Sequence, residues 1–180
     1  MSDTIFNKKI AVVIPCFNES VSIGHVVSSI NSLKNNSNLN LTAIVVNDCS
    51  TDNSKEIIQT LDCISIHLPI NLGIGGTVQA GVRFALENGF DIAIQMDGDG
   101  QHPASEIPKI LAVFNKNEHV DVSIGSRFLE KEGFQSSFMR RLGIVYFSSI
   151  IQLLFRKKIT DPTSGFRAFN KQAMKIICNY

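Results

Sequence analysis

The chain has 180 residues, 44% hydrophobic and 18% charged, with a net charge of +1 at pH 7. That length supports one domain with a substantial core and is short for two, and the composition excludes a disordered chain. Near-neutrality removes any general electrostatic basis for binding nucleic acid. Cys16, Cys49, Cys63 and Cys178 lie far apart, with neither a C-x-x-C pair nor His at zinc-finger spacing. They read as reduced, small core residues of a cytosolic protein. The opening "MSDTIFNKKIAVVIP" puts acid before base and has too short an apolar run for a secretory signal. No run reaches the roughly 18 to 20 apolar residues of a bilayer span.

Residues 10–14 form an apolar, mostly β-branched run, and Ile23, Val26, Val27, Ile30 and Leu33 then recur at helical spacing, so a strand precedes a helix. The polar "KNNSNLN" separates this unit from a second strand over 41–46, after which "STDNSKEIIQTL" supplies capping residues and another helix. A short strand over 64–68 leads into "NLGIGGTVQAGVRFALENG". Its glycines crowd the turn, and Val78, Val82, Ala85 and Leu86 mark one helical face. "DIAIQM" is a strand, a helix after Pro103 carries Ile107, Ile110, Leu111 and Phe114, and "VDVSIGS" is the last strand of the series. Apolar strands alternating with helices predict an α/β fold whose mostly parallel central sheet carries helices on both faces.

Parallel strands joined by right-handed crossovers present their carboxyl ends along one edge, where open α/β sheets bind ligands. The segments just past those ends are "PCFNE", "NDCSTD", "DGDGQH" and "GSR". Asp97 and Asp99 at i and i+2 share a side if the strand geometry persists, and Gly98 and Gly100 let the backbone turn and approach a ligand. Adjacent half-buried acids repel one another unless a cation or proton lies between them. A hard divalent cation, Mg²⁺ or Mn²⁺, that also takes phosphate oxygens from a diphosphate meets this need. A D-x-D triplet arises by chance about 0.4 times in a chain of this composition, so its position after a buried strand carries the weight. His102 beside Pro103 reads either with this loop or as a helix start. Asp48 is placed to accept from a nucleobase N–H or a ribose hydroxyl, or it caps the next helix, a role Ser50 could share. "NLGIGGTVQAG" lacks the G-K-[ST] ending of a P-loop.

Residues 139–158, "MRRLGIVYFSSIIQLLFRKK", form an amphipathic or apolar helix bracketed by basic residues. Its apolar part, 142–155, reaches roughly 21 Å as a helix, short of the roughly 30 Å hydrocarbon core. It suits the membrane interface, a buried core position, or a dimer face that would make the protein a homo-oligomer.

Taken in order, "IPCFNE", "NDCSTD", "NLGIGG", "DGDGQHP", "GSR" and "DPTSGFR" resemble the family 2 glycosyltransferases of the GT-A fold. The likeness is greatest to the dolichol-phosphate-mannose-synthase-like, polyprenyl-phosphate glycosyltransferase branch, and it covers about residues 9–169. The resemblance implies inverting transfer of a sugar from a nucleotide-diphosphate donor, UDP- or GDP-linked. It implies that Pro15, Asn18 and Glu19 border the nucleoside, that Asp48 contacts base or ribose, and that Asp97 and Asp99 hold metal and diphosphate. Gln101 would be a further metal contact, and Arg127 and Arg141 would meet the acceptor phosphate. Asn47 and Cys49 depart from the family's "DDGS" form. Relatives extend past Tyr180, so residues 1–180 are expected to be one GT-A catalytic domain of a longer protein.

A sugar hydroxyl must lose a proton as it attacks and wants a carboxylate base. A phosphate monoester, with a second pKa near 6, is already largely dianionic and needs arginines to place it. The resemblance implies polyprenyl phosphate as the acceptor, at the cytoplasmic membrane face with peripheral membrane contact, and this chemistry agrees with a phosphate acceptor. Asp161 is the remaining acid for a base or for orienting the acceptor loop, or a turn-former beside Pro162, and Arg167 adds charge. Competing readings are a transferase that extends a glycan hydroxyl, a sugar nucleotidyltransferase, and an inactive sugar-nucleotide-binding module. Against the nucleotidyltransferase, "PCFNES" carries no basic residue.

Overall fold

The computed structural model describes residues 5–117, 119–125 and 164–179. Its strands are β1 (Lys9–Cys16), β2 (Asn40–Asn47), β3 (Ile64–His67), β4 (Ile92–Gln95), β5 (Val122–Ile124) and β6 (Arg167–Asn170). Its helices are α1 (Ile23–Asn36), α2 (Ser54–Gln59), α3 (Gly73–Glu87), α4 (Ile107–Lys116) and α5 (Lys171–Cys178). Among the described residues the strands form one sheet in the order β3-β2-β1-β4-β6-β5. The first four strands are parallel, as expected, while β6 runs antiparallel to both β4 and β5. The elements β6 and α5 go beyond the predicted series.

Alternation along the central strands sorts their side chains onto two apolar faces. Ile10, Val12 and Ile14 of β1, with Ile92, Ile94 and Met96 at β4, pack against Ile23, Val26, Val27 and Ile30 of α1 and Ile107 and Leu111 of α4. Ala11, Val13, Val46, Ala93 and Phe169 face Val78, Val82 and Ala85 of α3 and Met174 of α5. Strand β1 is buried throughout from its second residue, because it is covered on both faces and paired on both edges. Burying each Ile, Leu or Val of these layers contributes about 1.5–3 kcal/mol.

The glycines expected in the turn before α3 lie instead in its first turns: Gly73 begins the helix, and Gly75 and Gly76 follow within it. First-turn N–H groups lack intrahelical acceptors, so glycine is tolerated there better than mid-helix. Gly81 is different, because a Cβ there would overlap a methyl of Val13 and lie 3.0 Å from Val46 Cγ2. It sets how closely α3 lies on the sheet.

The cysteines are free, but not all belong to the core. Burial raises the Cys16 thiol, and burial together with the Asp62 charge pushes Cys63 up to about 11. Cys49 is exposed, in left-handed backbone at φ 60°, at the turn after β2.

Replacing Gly81 by Ala should destabilise the protein by about 1–3 kcal/mol through overpacking. Gly24→Ala on α1, where an added Cβ meets nothing within 4 Å, should leave stability unchanged or raise it by a few tenths, up to about 1 kcal/mol. Urea unfolding of both variants checks this; equal midpoints would contradict the close approach of α3 to β1.

Candidate active site

Strands β1, β2 and β4 end at one edge of the sheet, and β6 begins there, since Arg167 pairs with Gln95. An open crevice of about 840 Å³ lies along this edge. Among its lining residues are Pro15, Phe17 and Glu19 after β1, Asp48 after β2, Asn71 and Gly73 at the start of α3, Asp97 and Asp99 after β4, and Gly165 and Arg167 at β6.

Asp48 is only 3% exposed. Its Oδ1 accepts a 2.7 Å hydrogen bond from the Leu72 N–H, and its carbonyl accepts from Asn71 Nδ2. The carboxylate therefore reaches across to the amino end of α3, where the helix dipole favours negative charge, and does not cap α2. Asn71 Oδ1 also accepts from the Gly73 N–H, at 3.0 Å, so this one residue ties the start of α3 to the end of β2. Asn71 and Phe17 lie within "NLGIGG" and "IPCFNE", but local pattern gives neither a role.

The loop after β1 is latched to the loop after β2. Asn18, in left-handed backbone at φ 58°, accepts through Oδ1 from the Thr51 N–H at 2.8 Å and more weakly from the Thr51 hydroxyl and the Asp52 N–H. The Asn18 N–H donates to Ser50 Oγ and the Glu19 N–H to Ser54 Oγ. Asp52 accepts from the Ser20 and Ser54 N–H groups. Hydrogen bonding, first from the Ser54 hydroxyl, holds its carboxyl down at about 2. Asn18, expected beside a nucleoside, thus spends its side-chain oxygen between two loops and is not among the crevice-lining residues. Pro15 and Glu19 do line the crevice.

At β4 the regular strand stops at Gln95, two residues before Asp97. Both carboxylates still line the crevice, Asp97 half-buried and Asp99 exposed. Gly98 between them is buried, and a Cβ there would lie 3.0 Å from the Pro15 carbonyl oxygen, so glycine lets the ends of β1 and β4 approach. Gly100 turns the chain at φ 76°, and the Gln101 N–H donates to Asp99 Oδ1 at 2.9 Å. Gln101 is exposed and is not among the lining residues. His102 stacks on the Phe166 ring, centroids 5.3 Å apart and 18° between planes, which joins the acidic loop to the approach to β6.

Arg167 lines the crevice, and its Nε donates to the Ser164 carbonyl at 2.8 Å. Gln95, its partner across the ladder, is 9% exposed and lines the same crevice. Arg127, Arg141, Asp161 and the helix expected over 139–158 lie outside the described residues.

No group of three or more His, Cys, Asp or Glu able to hold a metal occurs among the described residues. Asp97 and Asp99 offer carboxylate oxygens on an open crevice, a donor set that fits a hard divalent cation completing its shell with substrate oxygens and water. The Asp97 carboxylate lies so close to Gly165 that a Cβ there would overlap it, so one side of that carboxylate is already packed.

This sheet order and the acidic carboxyl edge define a GT-A glycosyltransferase fold. Glucosyl-3-phosphoglycerate synthase from Mycobacterium tuberculosis, in complex with Mn²⁺, UDP and phosphoglyceric acid, superposes with a TM-score of 0.69 at 17% identity, over 92% of this chain and 57% of that one. Residues 11–177 match the glycosyl transferase family 2 model, and the chain belongs to that family. A UDP-N-acetylglucosamine–dolichyl-phosphate N-acetylglucosaminyltransferase of Methanococcus voltae is 32% identical, over 95% of this chain and 73% of the relative. A dolichol-phosphate mannosyltransferase of Pyrococcus furiosus is 32% identical over 93% of this chain, which spans 47% of that protein.

The latch has a pH signature. Asp52 stays ionised in the folded protein down to about pH 2, whereas an unperturbed carboxyl protonates near 3.8. Its charge-dependent stabilisation is therefore full above about pH 4 and is lost as pH falls through about 2. Urea midpoints of Asp52→Asn and wild type should differ by a constant amount from about pH 5 to 7 and converge between about pH 4 and 2. A gap that does not narrow on acidification would mean that Asp52 carries no such coupling.

Proposed function

We propose that the protein is an inverting glycosyltransferase that moves a sugar from a nucleotide-diphosphate-sugar to polyprenyl phosphate, with Mg²⁺ or Mn²⁺ held by Asp97 and Asp99. The observation that carries this reading is the meeting of Asp48, Asp97, Asp99 and Arg167 on one crevice, from strands far apart in sequence. Family membership and the lipid-phosphate acceptors named for the relatives above support it.

In this reading Pro15, Glu19 and Asp48 border the nucleoside, Asp48 accepting from the base or ribose with the oxygen that Leu72 does not occupy. Asn18 belongs to the same subsite through the loop it fastens. Asp97 and Asp99 would hold a divalent cation, which would supply positive charge to offset the diphosphate leaving group. Asp97 and Asp99 orient that group, and Gln101 stands beside them as a further contact. A phosphate oxygen of the acceptor attacks the anomeric carbon from the side opposite the diphosphate. The new C–O bond forms as the bond to the donor's phosphate breaks, which inverts the configuration and releases nucleoside diphosphate.

No proton has to leave a dianionic phosphate, so the demand is for cationic placement, by Arg167 with Arg127 and Arg141. Asp161 orients the acceptor loop. Residues 1–180 act as one catalytic domain at the cytoplasmic membrane face, with 139–158 at the interface. Among the described residues no helix is long and apolar enough to cross a membrane.

Calorimetric titration of UDP and GDP, with and without Mn²⁺, tests the donor site. Wild type should bind one of them in a metal-dependent way, and Asp99→Ala should weaken that binding at least about tenfold. Absence of binding to folded wild type would overturn the reading. Transfer to polyprenyl phosphate but not to a glycan hydroxyl would then fix the acceptor class.

A further inference from the structure

The segment that leads into β6 is anchored on both sides of Gly165. Ser164 is fully buried, its hydroxyl accepts from the Phe166 N–H at 3.2 Å, and its carbonyl accepts from Arg167 Nε. Phe166 is 3% exposed, stacked on His102, with its ring so near Gly125 that a Cβ there would overlap it. Gly165 therefore has little freedom to recede. It lies against the Asp97 carboxylate, where a Cβ would overlap Oδ2 and come within 2.6 Å of Oδ1.

Gly165 is not among the glycines of positive φ. Its backbone accepts an L-residue, so the requirement for glycine is steric, and the three atoms nearest an added Cβ all belong to Asp97. That neighbour is the end of a rotatable side chain. An added methyl would be relieved by swinging the carboxylate, at small cost to the fold and at the expense of where its oxygens point.

We propose that Gly165 is a positioning residue for Asp97: the bare Cα forms the seat against which the carboxylate is held toward the crevice, and Phe166 with His102 keeps seat and loop together. This rests on the reading of Asp97 as the ligand of the cation and diphosphate. It adds that the cation affinity is set in part by a residue far along the chain that has no side chain to touch the cation. Groups that orient a metal ligand commonly contribute about 10- to 100-fold in affinity.

The test uses Gly165→Ala, Asp97→Ala and the double variant, with Gly24→Ala as a glycine replacement in open space. For each, Tm is measured, together with the affinity for UDP and GDP with and without Mn²⁺. The expected result is that Gly165→Ala melts close to wild type and binds metal-free nucleotide as wild type does. It should lose about 10- to 100-fold of the Mn²⁺-dependent affinity. In the double variant the added methyl meets no carboxylate, so it should melt as Asp97→Ala does. Unchanged Mn²⁺ dependence in Gly165→Ala would overturn the proposal. So would equal losses with and without metal, which mark a general structural role. Should Gly165→Ala unfold, recovery of folding in the double variant supports the contact, and failure to recover overturns it. Should wild type bind neither nucleotide, the donor-site reading fails, and crystal structures of wild type and Gly165→Ala then decide whether Gly165 seats Asp97: a carboxylate swung to another rotamer supports the contact, and an unmoved one overturns it.

Discussion

The pairing of β6 with β4 is the constraint on which the site depends. Because β6 runs antiparallel, its beginning meets the carboxyl ends of the parallel strands, and Arg167 faces Gln95 across the ladder. A parallel strand at this position would present its carboxyl end there and carry "SGFR" to the opposite edge. The same pairing places Gly165 against Asp97 and Phe166 against His102. A four-residue strand thus joins a segment far downstream to the acidic loop, with β5 fixing its outer edge.

The other half of the crevice is organised differently. There the parallel pairing of β1 with β2 brings two loops side by side, and side-chain oxygens satisfy the backbone N–H groups those loops leave unpaired. Two left-handed residues, Asn18 and Cys49, turn the chain so that these donors and acceptors meet. Asn at the first position is consistent with its tolerance of that conformation. One half of the crevice is held by a sheet ladder and the other by a network of short polar side chains.

This division explains what was legible in the sequence. The parallel strands were readable because burial on both faces leaves long apolar runs, and the place of Asp48, Asp97 and Asp99 at the carboxyl edge was readable because they follow such runs. The role of Asn18 was not, since it depends on a hydrogen bond to Thr51 that local pattern does not encode. Strand β6 is not legible, because "RAFN" is too short to show a period and its direction is fixed only by its partners. The glycines of "NLGIGG" looked like a turn by composition, but the chain around them is held by Asn71 and Asp48 as the start of a helix.

Charge explains why the two halves must work together. The acidic groups among the described lining residues are Glu19, Asp48, Asp97 and Asp99, and the cationic one is Arg167. This balance among the described lining residues disfavours an anion entering alone. Asp48 is partly offset by the amino end of α3 and serves hydrogen-bond donors better than anions. Asp99 accepts from the Gln101 N–H and Asp97 lies half-buried against Gly165, and on the proposed reading a divalent cation would accompany a diphosphate there. On the proposed reading, the direction of the Asp97 carboxylate would determine whether ion and diphosphate share one geometry, and the bare backbone of Gly165 is what lies against that carboxylate.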